Sequence, residues 1–168
     1  MIASNFVETE GMTFYSTSDT IRSHTWFDTG SAVSVYNNAG GGTVTHERVS
    51  ASLQNSPFLN VHKTILKITT NGTASPGAGG FFPTLSTSAN KIFVVKIVAK
   101  IPVGYNIAAA SNPIGTDGTY SFISSTAGTG NWEEYTEVIR CGSSGSFSST
   151  GHVYITGSDN KAVTWYVA

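Results

Sequence analysis

Apolar and polar residues alternate most regularly from Lys91 to Tyr105 (KIFVVKIVAKIPVGY). Phe93, Val95, Ile97, Ala99 and Ile101 are all apolar, while the positions between them mix Ile92, Val94 and Val98 with Lys96 and Lys100. A period of two predicts a strand, because successive side chains leave opposite faces. Val and Ile suit a pleated surface. The odd face is expected to be core and the lysine-bearing face to meet water. Pro102 lacks a backbone donor and Gly104 permits a turn, so the strand should stop there. It is expected to be a central strand.

Shorter runs carry the same signal at Met12 to Tyr15, Ala32 to Tyr36, Thr43 to Val49, Asn106 to Ala110 and Tyr120 to Ile123. His62 to Thr70 is expected to put Thr64, Leu66 and Ile68 on one face and Lys63, Ile65 and Lys67 on the other. Trp132 to Cys141 shows Trp132 with Val138 on one face and Tyr135 with Ile139 on the other, and a bulge is invoked to reconcile them. His152 to Thr156 and Ala162 to Val167 flank Gly157-Ser158-Asp159-Asn160 and are expected to form a terminal hairpin, with Val163, Trp165 and Val167 inward. Asn37 to Gly42, Ser75 to Pro83 and Gly142 to Gly151 are expected as loops, and Leu53 to Asn60 as irregular. No segment has a helical period. Short strands between Gly, Ser, Asn and Pro turns predict an all-β chain, an antiparallel β-sandwich or a barrel. Its 168 residues suffice for one domain, 1–168, with a sizeable core.

Only 11% of residues are charged and the net charge is −1. That leaves no electrostatic footprint for nucleic acid, and no basic amphipathic segment for a membrane surface. The single cysteine, Cys141, rules out an intrachain disulfide. Met1 to Gly11 has neither the basic nor the apolar region of a secretory signal, and no apolar run is long enough to span a bilayer.

Candidate chemistry is sparse. His24, His46, His62 and His152 show no metal-ligand spacing. A structural calcium ion among Glu8, Glu10, Asp19, Asp28 and Asp159 is possible, without any EF-hand-like spacing. No nucleophile elbow occurs, and the glycines from Gly77 to Gly80 lead into Phe-Phe-Pro rather than a phosphate-binding helix. Glu133 and Glu137 on one strand face would lie roughly 13 Å apart, too far for a glycosidase pair. The expectation is therefore no catalytic residue, with Glu133, Glu134 and Glu137 forming an exposed acidic face. Binding is the better prospect. Aromatic rings stack on sugars and neighbouring polar groups bond hydroxyls. Phe93, Trp132 and Trp165 read as core, whereas Trp26, Tyr36, Tyr105 and Tyr120 sit at strand ends or turns. With Lys96 and Lys100 on the wetter face of the central strand, these six are the candidate ligand-binding residues.

AKIPVGYNIAAASNPIGTDGTY (Ala99 to Tyr120) and STAGTGNWEEYTEVIRCGSSGSFSSTGHVYITG (Ser125 to Gly157) resemble lectin-like jelly-roll modules in tail-fibre and other virion proteins of tailed bacteriophages. Trp132-x-x-Tyr135, a strand, a Gly/Ser loop and Val153-Tyr154-Ile155 are also similar to β-sandwich carbohydrate-binding modules. The resemblance covers roughly Ser31 to Ala168. It implies jelly-roll topology, a module of a longer fibre protein, a homotrimer, and assembly in the bacterial host cytoplasm into a virion. The function it implies is host recognition, as a receptor-binding protein attaching to a cell-surface glycan without catalysis. Two alternatives stand beside it: a structural or trimerisation module of a fibre, and a carbohydrate-binding module appended to a carbohydrate-active enzyme.

Overall fold

In a computed structural model of the chain, residues 12–16, 22–23, 34–37, 43–57, 64–70, 79–82, 87–110, 117–143, 146–147, 152–157 and 162–168 are described. Their strands are β1 (Met12–Ser16), β2 (Arg22–Ser23), β3 (Ser34–Asn37), β4 (Val44–Ser50), β5 (Thr64–Thr70), β6 (Gly79–Phe82) and β7 (Thr87–Ser88). They continue as β8 (Ile92–Lys100), β9 (Tyr105–Ala110), β10 (Thr119–Phe122), β11 (Trp132–Arg140), β12 (Ser146–Phe147), β13 (His152–Gly157) and β14 (Thr164–Val167). A single 3-10 turn spans Ser52–Gln54.

All the pairings are antiparallel. The larger sheet runs β10-β11-β8-β14-β5-β4, with β1 and β2 added beside β8. A smaller sheet runs β3-β6-β13-β9, and β7 pairs with β12. The expected central strand is β8. Along one edge it meets β11 over its full length; along the other it meets β1 at Phe93 to Ile97 and β14 at Ala99 and Lys100.

The two main sheets enclose one core. Leu66, Ile68, Val95, Ile97, Ala99, Tyr135, Ile139, Trp165 and Val167 from the larger sheet join Ile107, Val153 and Ile155 from the smaller in a single buried cluster. The chain is an all-β sandwich. The odd face of β8 is core as its alternation predicts, and its even positions are half-buried. On the opposite, outer face of the larger sheet lies a small second cluster. Ala51, Ile65 and Ala168 are buried there, with Val49, Val98, Trp132 and Tyr166 packed against them.

The exit of β8 crosses between the sheets. The Tyr105 amide donates to the Pro102 carbonyl at 3.2 Å, and Gly104 takes φ +88°, a conformation that L side chains rarely adopt. The segment 124–130 docks here, through Gly130 N–H to Ile101 O and Gly128 N–H to Tyr105 O, each at 2.8 Å.

Several expectations are corrected. β13 and β14 do not form a hairpin: β13 pairs with β6 and β9, β14 with β5 and β8. Both bury alternate residues in the same core, but from opposite sheets. Gly79–Phe82, expected as loop, is a strand held on both sides by β3 and β13. β11 needs no bulge, because its pairing with β8 is continuous from Trp132 to Arg140. Trp132 is half-buried on the outer face rather than part of the main core. Glu137 does not belong to an exposed acidic face but is buried.

Candidate functional site

The outer face of the larger sheet gathers the side chains best suited to binding. Register aligns them in a row across the strands. Trp132 on β11 stands opposite Lys100 on β8, and Lys100 stands opposite Tyr166 on β14. Tyr166 faces Lys67 on β5, and Lys67 faces Glu47 on β4. Adjacent strands lie about 4.8 Å apart, so the two aromatics flank Lys100 at roughly 10 Å from each other. One step along the strands, Thr164, Thr69 and Thr45 form a parallel row of hydroxyls. The Thr69 and Thr164 hydroxyls are 3.1 Å apart.

Local packing holds this row. Trp132 and Tyr166 rest against the second cluster, which backs them with apolar surface. The Trp132 indole N–H donates to the Gln54 carbonyl at 2.9 Å, which ties the ring to the 3-10 turn. Lys67 donates to Glu47 at 2.7 Å, and this bond, with the Glu47 charge, raises the lysine's pKa. Lys96 pairs with Glu134 at 2.8 Å. Lys100, between these neutralised lysines, has no ion-pair partner among the described residues.

The four sequence candidates whose side chains are described, Lys96, Lys100, Tyr105 and Tyr120, are not assembled in one place. Lys96 and Lys100 share the outer face of β8, two alternate positions apart. Tyr105 starts β9 in the other sheet, half-buried against the main core, with its ring over Gly157. Tyr120 is 42% exposed on the edge strand β10, opposite buried Ile139 and so on the other side of the sheet from the lysines. Tyr36 lies in β3 opposite Gly80, its side chain outside the described set. Trp26 lies outside the described residues, as do Glu8, Glu10, Asp19, Asp28 and Asp159 of the calcium expectation. Among the described residues no group of three or more His, Cys, Asp or Glu could hold a metal ion. Nor is any helix there long and apolar enough to cross a membrane.

Trp132, Tyr166 and Lys67 were not among the candidates. Their place beside Lys100 depends on strand order and register, which only the fold supplies. Glu137 was also misplaced. It is 2% exposed on the inner face, between Val95 on β8 and Phe122 on β10. Its Oε1 has no hydrogen-bond partner among the described residues, and burial pushes its carboxyl up to about 7. Tyr135 and Ile139, two residues to either side, already marked that face as apolar. Nearby, the buried Tyr135 hydroxyl donates to Glu133 at 3.1 Å, and its pKa is raised by burial first and the Glu133 charge second.

No protein-family model, curated protein or solved structure matches this chain.

Proposed function

We propose that this chain is a non-catalytic module that binds a glycan through the outer face of its larger sheet. The observation that carries this reading is the cross-strand row Trp132, Lys100, Tyr166 and Lys67, with threonine hydroxyls beside it. Aromatic faces stack on sugar rings, and hydroxyl and ammonium groups bond sugar oxygens. The setting we propose, a jelly-roll module of a trimeric tailed-phage fibre that recognises a host-surface glycan, rests on the resemblance of Ala99 to Tyr120 and Ser125 to Gly157.

A broad glycan array and whole-cell binding test the reading. Saturable binding is expected, weakened at least about tenfold in Trp132→Ala and Tyr166→Ala, or about 1.4 kcal/mol each. Binding that survives both substitutions would move the site elsewhere. Absence of binding to any glycan or cell surface would leave a structural module, and light scattering would then ask for a trimer.

A further inference from the structure

We infer that the ligand of this face is an acidic saccharide whose carboxylate sits at Lys100, between the rings of Trp132 and Tyr166. The inference rests on the glycan-binding reading and sharpens it. Charge on this part of the sheet is distributed unevenly. Lys96 and Lys67, Lys100's neighbours along β8 and across the row, each hold a glutamate, at 2.8 and 2.7 Å. Lys100 has no such partner among the described residues: Glu134, opposite Val98 and so diagonal to both lysines of β8, is held by Lys96. Register puts an aromatic residue directly opposite it on each side, and both pack against the second cluster. The aliphatic stem of a lysine in this position lies along apolar surface, while its ammonium turns to solvent. An anion meeting it there exchanges water for a charge-assisted hydrogen bond, beside ring faces that exclude water. A neutral sugar would displace water from that ammonium without offering it a charge-assisted bond in return. A saccharide bearing a carboxylate, such as a uronic or sialic acid, satisfies the cation and offers a ring face to the aromatics. The threonine row beside it supplies hydroxyl partners for the remaining sugar oxygens.

The test is an array of uronic-acid, sialic-acid and neutral glycans, with dextran sulfate as a sulfated polyanion. It is read with wild type, Lys100→Met and, as a lysine outside the row, Lys91→Met, each first shown to melt like the wild type. Lys100→Met keeps the length and apolar stem and removes only the charge. The expected result is carboxylated glycans bound at least about tenfold more tightly than neutral ones. That preference should weaken with salt, vanish in Lys100→Met and persist in Lys91→Met. Should Lys100→Met fail to fold, the preference and its salt dependence in the wild type decide the matter. Equal binding of neutral and acidic glycans, or an unchanged preference in Lys100→Met, overturns the inference and leaves the glycan-binding reading standing. Equal binding of dextran sulfate shows charge without ring recognition and also overturns it. No binding to any glycan removes both.

Discussion

The two faces of the larger sheet are made from the same strands and differ in how they treat a glutamate. On the outer face, Glu134 and Glu47 each reach a lysine on the neighbouring strand and keep contact with solvent. On the inner face, Glu137 sits among apolar neighbours, with one carboxylate oxygen unpaired among the described residues. A strand switches face at every residue, so Glu134 and Glu137, three apart, belong to different media. The outer charges add little stability and leave a surface able to bind. The inner one carries the full expense of desolvation.

The comparison breaks most sharply on β8. Ile97→Ala should destabilise by about 2–5 kcal/mol in denaturant unfolding, against about 0–1 kcal/mol for Lys96→Ala next to it. Similar losses at both positions would mean that the two faces are not distinct.

Glu137 gives the next effect. Its carboxyl titrates near 7 when folded, against an ordinary value of 4.5. As pH rises from about 4.5 to about 7, the unfolded chain loses this proton while the folded chain keeps it. Stability should therefore fall over that window and level off above it. Glu137→Met should remove this slope in melting temperature and gain about 1–3 kcal/mol at pH 8. A loss of stability at pH 8 would show that the carboxylate has a partner.

On the outer face the effects shrink. Trp132→Phe keeps an aromatic ring but removes the N–H bonded to Gln54, and should cost about 0.5–1.5 kcal/mol by thermal melting. A double-mutant cycle on Lys67 and Glu47 should return about 0.2–1 kcal/mol, falling with added salt. A coupling well above that range would give the outer pair a structural weight that its exposure argues against.

Much of the sandwich was legible because alternation is local. β5, β8 and β14 each declare their buried side within a few residues. What alternation cannot declare is the partner. Val153 of β13 and Trp165 of β14 share one core, and nothing near either says that they come from opposite sheets. Gly79–Phe82 hid because its strand identity comes from β3 and β13 on either side rather than from its own residues. The candidate site followed the same division. Lys96 and Lys100 were legible as outward-facing from their own strand. The aromatics beside Lys100 were not, since Trp132 and Tyr166 come from far along the chain and meet it only through register. Glu137 was legible and misread: its spacing from Tyr135 and Ile139 placed it inward, against the habit of carboxylates.

The divided edge of β8 bears on how the molecule comes together. β1 completes one half of that edge and β14 the other, from opposite ends of the described chain. Contacts between such distant segments form late, because long loops must close before they reward the chain. During synthesis β14 emerges after the other described strands. Until it arrives, the backbone groups of Ala99 and Lys100 stand open on the same strand that carries the hydrophobic centre. An unpaired, strongly β-prone edge is where nascent chains find one another. Arrival of the last strand thus closes the interval in which this molecule is most exposed to aggregation.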